Sequence, residues 1–206
     1  MKRLIFAVIF LVSVPFAWAD SASDLLANKL NKVVTFASDF KQKVLDEKGN
    51  VLQQSAGEMQ FNRPLLFYWH ISSSNPQTIW YRKSELIVYD ERLRQATLKK
   101  VYSKNDPNLL PLMLLTGNAT EVLKHFTVTV KQDAFVLNPV EKDKNELLVG
   151  VMLQLADDGS VKEIQYQTTL DQRTQINFFH TQVNKPLNQK LFFQILPTDT
   201  DVVNVE

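Results

Sequence analysis

Three histidines, the adjacent carboxylates of Asp157-Asp158 and Asp90-Glu91, and one arginine set before a proline are the residues from which chemistry could be built here. His70, His125 and His180 stand far apart, each on a different element by local pattern. A zinc site needs three or four nitrogen, sulfur or carboxylate ligands converging, and the chain holds neither an HExxH pair nor a cysteine. Three histidines could still meet in space, but each reads better as a strand or surface residue. Paired carboxylates do acid–base work only at a set separation across a substrate. Asp157 and Asp158 are followed by Gly159 and Ser160, which marks a hairpin turn, and Asp90-Glu91 reads the same way. The five glycines form no GxGxxG, P-loop or GxSxG motif. No nucleophile stands beside a base. The expectation is therefore a protein that is not an enzyme, with no metal and no cofactor.

Apolar surface is what remains, and the elements that carry it alternate. In Phe61 to Ile71, the residues Leu65, Phe67, Trp69 and Ile71 fall on one side of a strand, with Leu66, Tyr68 and His70 on the other. Arg63-Pro64 stands at its entrance. Earlier, Leu25, Leu26, Leu30, Val33 and Val34 recur at helical spacing, with Asp20, Ser21 or Ser23 available as cap. From Phe36 the period becomes two. Strands are expected at 36–45, 51–61 (Gly57, Met59 and Phe61 on one face), 78–81, 86–90, 95–101, 126–131, 134–137, 147–155, 161–170, 173–183 and 191–195, where the ordered pattern ends. Leu109 to Leu115 breaks the pattern. It is dense and apolar, and predicts a short helix starting near Pro107 or Pro111, with another turn of helix at 120–125. Too apolar for an exposed loop, such a helix must cover something apolar. About eleven closely spaced strands point to one large antiparallel sheet, strongly curved or rolled into a barrel. Met59, Phe67 and Trp69 either pack its core or line a cavity.

The chain ends set the compartment. Met1-Lys2-Arg3, the apolar run Leu4–Val14 and Ala17-Trp18-Ala19 have the form of a signal peptide cleaved after Ala19. The apolar run is short of the roughly 20 residues a spanning helix needs. Removing 1–19 leaves 187 residues, read as a single soluble domain at 20–206, with 21 basic against 22 acidic residues. That balance offers no basic surplus for nucleic acid. Cysteine is absent, which excludes disulfides and a lipid-modified N-terminal cysteine.

Taken in order, several stretches resemble LolA, the family of periplasmic outer-membrane lipoprotein carriers. Leu30, Val33, Thr35-Phe36, Phe40 and Gln42 resemble its opening helix and first strand. Arg63-Pro64-x-x-Phe67-x-Trp69 resembles its most characteristic segment, Leu109–Leu115 its lid helix and Asp171-Gln172-Arg173 a late strand junction. Phe193-x-Ile195-x-Pro197 with Asp201-Val202 resembles its C-terminal signature. Ser38, where alanine is common, and Asp199, where glycine is usual, depart from the pattern. The resemblance implies a mainly β fold with some helix: an incomplete, open antiparallel barrel closed by short lid helices over a hydrophobic cavity. It implies that the cavity shelters lipoprotein acyl chains, with Met59, Phe61, Leu65, Phe67, Trp69, Ile71, Leu112, Met113, Leu115 and Phe178 as cavity residues. It implies that Arg63 latches the lid, where the residue alone would read as an ordinary surface arginine. The partners implied are an ATP-driven inner-membrane transporter of LolCDE type and an outer-membrane acceptor of LolB type, the carrier itself being a monomer. The acceptor shares the fold but needs an N-terminal cysteine, so the soluble carrier is the better match. The alternative is a periplasmic lipid-binding or lipoprotein-sensing module on the same fold.

Overall fold

The computed structural model describes residues 21–73, 75–82, 84–101, 110–140, 148–168 and 170–205, with backbone alone at 110–112. The leader with its Ala19 cleavage site, the first residues of the segment that opens at Asp106, and Leu147 lie outside the described residues.

Helix α1 (Ala22–Asn31) begins where Ser21 accepts a hydrogen bond from the Asp24 backbone N–H. Of the three candidate caps, Ser21 is the one used. Leu26, Ala27 and Leu30 are buried, with Val33 just beyond the helix. Leu25 and Val34, read as part of the same stripe, are about half exposed. At 100° per residue Leu25 falls outside the narrow buried arc of α1, and Val34 lies beyond the end of the helix.

Two long strands follow, β1 (Thr35–Leu45) and β2 (Val51–Asn62), then four short ones: β3 (Leu66–Ile71), β4 (Gln77–Arg82), β5 (Glu85–Asp90) and β6 (Gln95–Lys100). Helices α2 (Leu110–Thr116) and α3 (Ala119–Leu123) interrupt the strand sequence. Then come β7 (Phe126–Lys131), β8 (Ala134–Pro139), β9 (Leu148–Leu155), β10 (Val161–Thr168) and β11 (Arg173–Val183). A short 3-10 helix (Gln189–Phe193) and β12 (Asp201–Val205) end the chain. The described strands form one twelve-stranded sheet in the order β12-β6-β5-β4-β3-β2-β1-β11-β10-β9-β8-β7. Each sequential neighbour in the sheet is antiparallel. At Asp157-Asp158-Gly159-Ser160 the Asp158 carboxylate accepts the Ser160 N–H at 2.9 Å, and Gly159 takes φ +85°. Hydrogen bonds from the Ser160 hydroxyl and from its N–H hold the Asp158 carboxyl below its ordinary pKa. The Asp158 carboxylate thus serves the turn.

Laid flat, twelve strands at ~4.8 Å spacing would span roughly 50 Å. Yet α1, about 15 Å long, packs on the edge strand β7 while its last residue, Asn31, lies 3.4 Å from Arg63 in the β2–β3 turn, six strands along the sheet order. The sheet is therefore strongly curled, with its order ending at β7 and β12 rather than closing. Inside the curl lie Phe36, Phe40, Met59, Phe61, Phe67, Trp69, Leu137, Leu153, Ile164, Ile176 and Phe178, together with the buried faces of all three helices.

Three sequence expectations are corrected. Residues 191–195 are not a strand: Asn188 caps a 3-10 helix there by accepting from Lys190 N–H. The apparent alternation misleads because Phe193 and Ile195 point to solvent and Phe192, just before them, is buried. The ordered pattern runs on to β12, a twelfth strand, which pairs parallel with β6, so the sheet is not wholly antiparallel. And Leu65 is not on the β3 strand. It sits at φ 63° after the cis Arg63–Pro64 bond, in the turn between β2 and β3.

Candidate functional site

The inner face is built around stacked aromatic rings. Register sets Phe36 opposite Phe61, and Phe61 opposite Phe67. Residues opposite one another share a face of the sheet, so the alternating phenylalanines of three strands converge. Phe36 and Phe61 stack at 5.2 Å, Phe178 meets Phe36 edge-on at 5.7 Å, and Trp69 lies over Phe40 at 3.8 Å. Of the residues expected to line a cavity, Met59, Phe61, Phe67, Trp69, Met113, Leu115 and Phe178 are buried in this one cluster. Leu65 and Ile71 pack against it while partly exposed. The Leu112 side chain lies outside the described residues. With the helices down, these side chains fill the space against one another.

The helices that cover this face are held at one end of the sheet. Arg63, in the β2–β3 turn, donates through Nη1 to the Gly117 carbonyl that follows α2. The same Nη1 reaches Asn31 Oδ1, on the last residue of α1, at 3.4 Å. Backbone bonds run alongside: Arg63 N–H to the Val34 carbonyl at 2.9 Å, and Leu65 N–H to the Thr116 carbonyl at 3.3 Å. Arg63 Nε and Nη2 are buried and find no acceptor, and among the described residues no carboxylate pairs with the guanidinium. The Phe61 ring, 5.7 Å below, offers its π face. Burial pulls the Arg63 pKa down to about 10, so the group stays charged at physiological pH. The result is a charged donor held over an apolar interior by carbonyl and amide oxygens alone.

Gly117 is set by contact. A Cβ there would stand 2.7 Å from the Met113 carbonyl, inside any ordinary contact distance. Sequence reading singled out neither Gly117 nor Asn31. Their partners are 54 and 88 residues away, and no local pattern marks such a pairing.

The outer face has a cluster of its own. Tyr68, Trp80, Ile87, Tyr89 and Ala96 are buried there under Phe192 from the 3-10 helix. Trp80 Nε1 donates to the Leu191 carbonyl and Arg82 Nη1 to that of Phe192, both at 2.8 Å. Tyr68 donates to Glu58 at 3.1 Å, and burial with that carboxylate pushes its pKa up. Both departures from the family pattern have local partners: Ser38 Oγ donates to the Phe179 carbonyl at 2.7 Å, and Asp199 pairs with Arg94. The histidines serve separate pairs. His70 Nδ1 lies 3.0 Å from Thr78 Oγ1 and 3.3 Å from Glu91, and His180 Nδ1 lies 2.8 Å from Asp39. Among the described residues, no three His, Asp or Glu side chains are grouped to hold a metal, and no helix is long and apolar enough to cross a membrane.

Comparison with known proteins gives one result. The family model "Outer membrane lipoprotein carrier protein LolA" matches residues 31–194. The outer-membrane lipoprotein carrier protein of Francisella tularensis subsp. novicida (strain U112) is 30% identical over 207 residues, covering 99% of this chain and 98% of that one. Its counterpart in Pseudomonas paraeruginosa (strain DSM 24068 / PA7) is 30% identical over 204 residues, covering 98% and 97%. Among solved structures, an uncharacterized conserved protein from Thermus thermophilus shares the fold with a TM-score of 0.54 at 8% identity, over 90% of this chain and 100% of that one. By its sequence, and in keeping with a curled sheet closed by short helices, this chain belongs to the LolA family of outer membrane lipoprotein carrier proteins.

Proposed function

We propose that this protein is a periplasmic carrier that shelters the acyl chains of lipoproteins released from the inner membrane and delivers them to an outer-membrane acceptor. The observation that carries this reading is the arrangement at Arg63. One charged side chain with few partners holds the α2–α3 junction and the end of α1 over an apolar interior. With so few polar ties, the cover can lift and re-seat when acyl chains replace the apolar contacts of its helices. When it lifts, the aromatic wall from Phe36 to Phe178 becomes the surface against which acyl chains lie. Met59, Phe61, Leu65, Phe67, Trp69, Ile71, Met113, Leu115 and Phe178, with Leu112 on the lid, are the cargo-contacting set in this reading. Arg63 is the latch.

In the same reading the leader is cleaved after Ala19, and 20–206 acts as one monomeric domain. The donor is an ATP-driven transporter of LolCDE type and the acceptor is of LolB type. Moving cargo between them makes and breaks no covalent bond, so the carrier itself needs no catalytic group.

The test is direct. Mature protein is incubated with ATP and spheroplasts holding radiolabelled lipoproteins, and the soluble fraction is analysed. An equimolar soluble complex of carrier and lipoprotein is the expected result. Failure to release lipoprotein while a known carrier succeeds beside it would overturn the reading.

A further inference from the structure

Asn31 stands where α1, α3 and the β2–β3 turn meet. It is the last residue of α1, and its side-chain oxygen accepts from the Ala119 N–H at 3.1 Å. Ala119 is the first residue of α3, so Asn31 satisfies one of the helix-start donors that α3 cannot satisfy itself. Asn118 satisfies the next, accepting from Thr120 N–H at 3.0 Å. The Asn31 Nδ2 donates to Thr120 Oγ1 at 3.2 Å, a second tie between α1 and α3. The same oxygen that caps α3 also receives Arg63 Nη1, at the long distance of 3.4 Å. A single amide thus joins α1 to α3 and the pair to the sheet.

We infer that Asn31 is a positioning residue that sets the strength of the closed lid, its neutral amide keeping the latch weak enough to open. The inference rests on the carrier reading above. The reasoning turns on charge. Arg63 has no carboxylate partner among the described residues and two donors without acceptors. An aspartate at position 31 would put a full negative charge where the amide oxygen now lies. Charge-assisted bonds are shorter and roughly twice as strong as neutral ones. The Ala119 N–H would keep its acceptor, and the Thr120 hydroxyl could turn to donate to the second carboxylate oxygen. An alanine would remove every tie at once. Because Asn31 is exposed, neither change leaves a buried hole. Cargo that binds the open form competes with closure, so a stronger latch must lower its affinity and a weaker one raise it.

The opposite signs make the test. The mature protein, N31D and N31A are titrated with a synthetic tripalmitoyl-cysteinyl lipopeptide. N31D should bind about fivefold more weakly than the parent and N31A about threefold more tightly, in line with hydrogen bonds of this class. Lid position is read separately without ligand. The chain has no cysteine, so Lys124→Cys on the end of α3 and Gln182→Cys on β11 can carry a spin-label pair. N31D should narrow the distance distribution and N31A broaden it. Equal affinities, shifts of the same sign, or unchanged distances in both variants would overturn the role of Asn31. Should the parent fail to bind the lipopeptide, the carrier reading falls, and the spin-label distances alone decide on Asn31.

Discussion

At Arg63 two opposing terms decide what the residue does. A hydrogen bond from a charged donor contributes about 1.5–3 kcal/mol. Burying a guanidinium with Nε and Nη2 unmatched offsets much of that. The net contribution of Arg63 itself to closure is then on the order of 1 kcal/mol, added to what the buried apolar side chains of the three helices contribute. Replacing Arg63 with leucine removes both terms together. Arg63→Leu is expected to leave the thermal midpoint within a few degrees of the parent while raising lipopeptide affinity about fivefold and slowing release to an acceptor. Calorimetry and transfer assays check the two halves separately, and unchanged loading and release would end the latch idea. Arg63→Lys should fall between, because an ammonium is a point charge without the planar fork. The pH dependence has a definite sign. Burial lowers the folded pKa from the ordinary arginine value to about 10, so the cost of holding the charge is fully present below about 10 and is relieved only as pH rises from there toward the ordinary value. Lid distances measured from roughly pH 6 to 9 should therefore show no titration of this group.

Elements respond more coarsely, through contacts of whole turns. Gly117 ends α2 against the Met113 carbonyl with no room for a methyl. Gly117→Ala must push the last turn of α2 away, carrying off the carbonyl that Arg63 grips. Overpacking of this kind costs about 1–3 kcal/mol, so a lower melting temperature and a looser lid are expected together in thermal and spin-label measurements. On the outer face, Phe192 is 1% exposed and closes the cluster of Tyr68, Trp80 and Tyr89. Truncation of a buried phenylalanine costs about 3–5 kcal/mol. Phe192→Ala should melt well below the parent and bind a hydrophobic dye, with the lid unaffected. This second cluster also shows where sequence reading stops. Alternation found the strands because a half-buried strand writes its face into every second residue, as Met59, Phe61, Phe67 and Trp69 do. The same rule made a strand of 191–195, where the bulky residues Phe193 and Ile195 face water and one phenylalanine does the packing. Pairing of β12 with β6, and of Asn31 with α3, spans about a hundred residues and leaves no local mark. Arg63-Pro64 was legible through the family resemblance, not through its chemistry.

For the molecule as a whole, the question is how a closed and well-packed interior accepts cargo that outweighs its own binding limits. Three acyl chains carry some forty methylenes, each about 0.8 kcal/mol when fully buried. Their sum exceeds the practical ceiling for reversible association, near 18–21 kcal/mol. Full burial in a waiting cavity would thus make a trap, not a carrier. The structure suggests how this is avoided. Phe36, Phe40, Met59 and Phe61 are at most 2% exposed and touch one another and the helices. Every methylene that enters must displace such contacts, so each insertion forfeits packing that the closed form already enjoys. Affinity should then grow with acyl length far more slowly than simple transfer from water. Full transfer would multiply affinity about fourfold for each added methylene. For lipopeptides with acyl chains lengthened stepwise, binding to this protein should rise by less than about twofold per methylene, and Arg63→Leu should raise the whole series by one common factor with the slope unchanged, because opening the lid is a single cost. A fourfold slope in the parent would mean that a cavity stands open in the free protein, and that lid and core do not oppose loading.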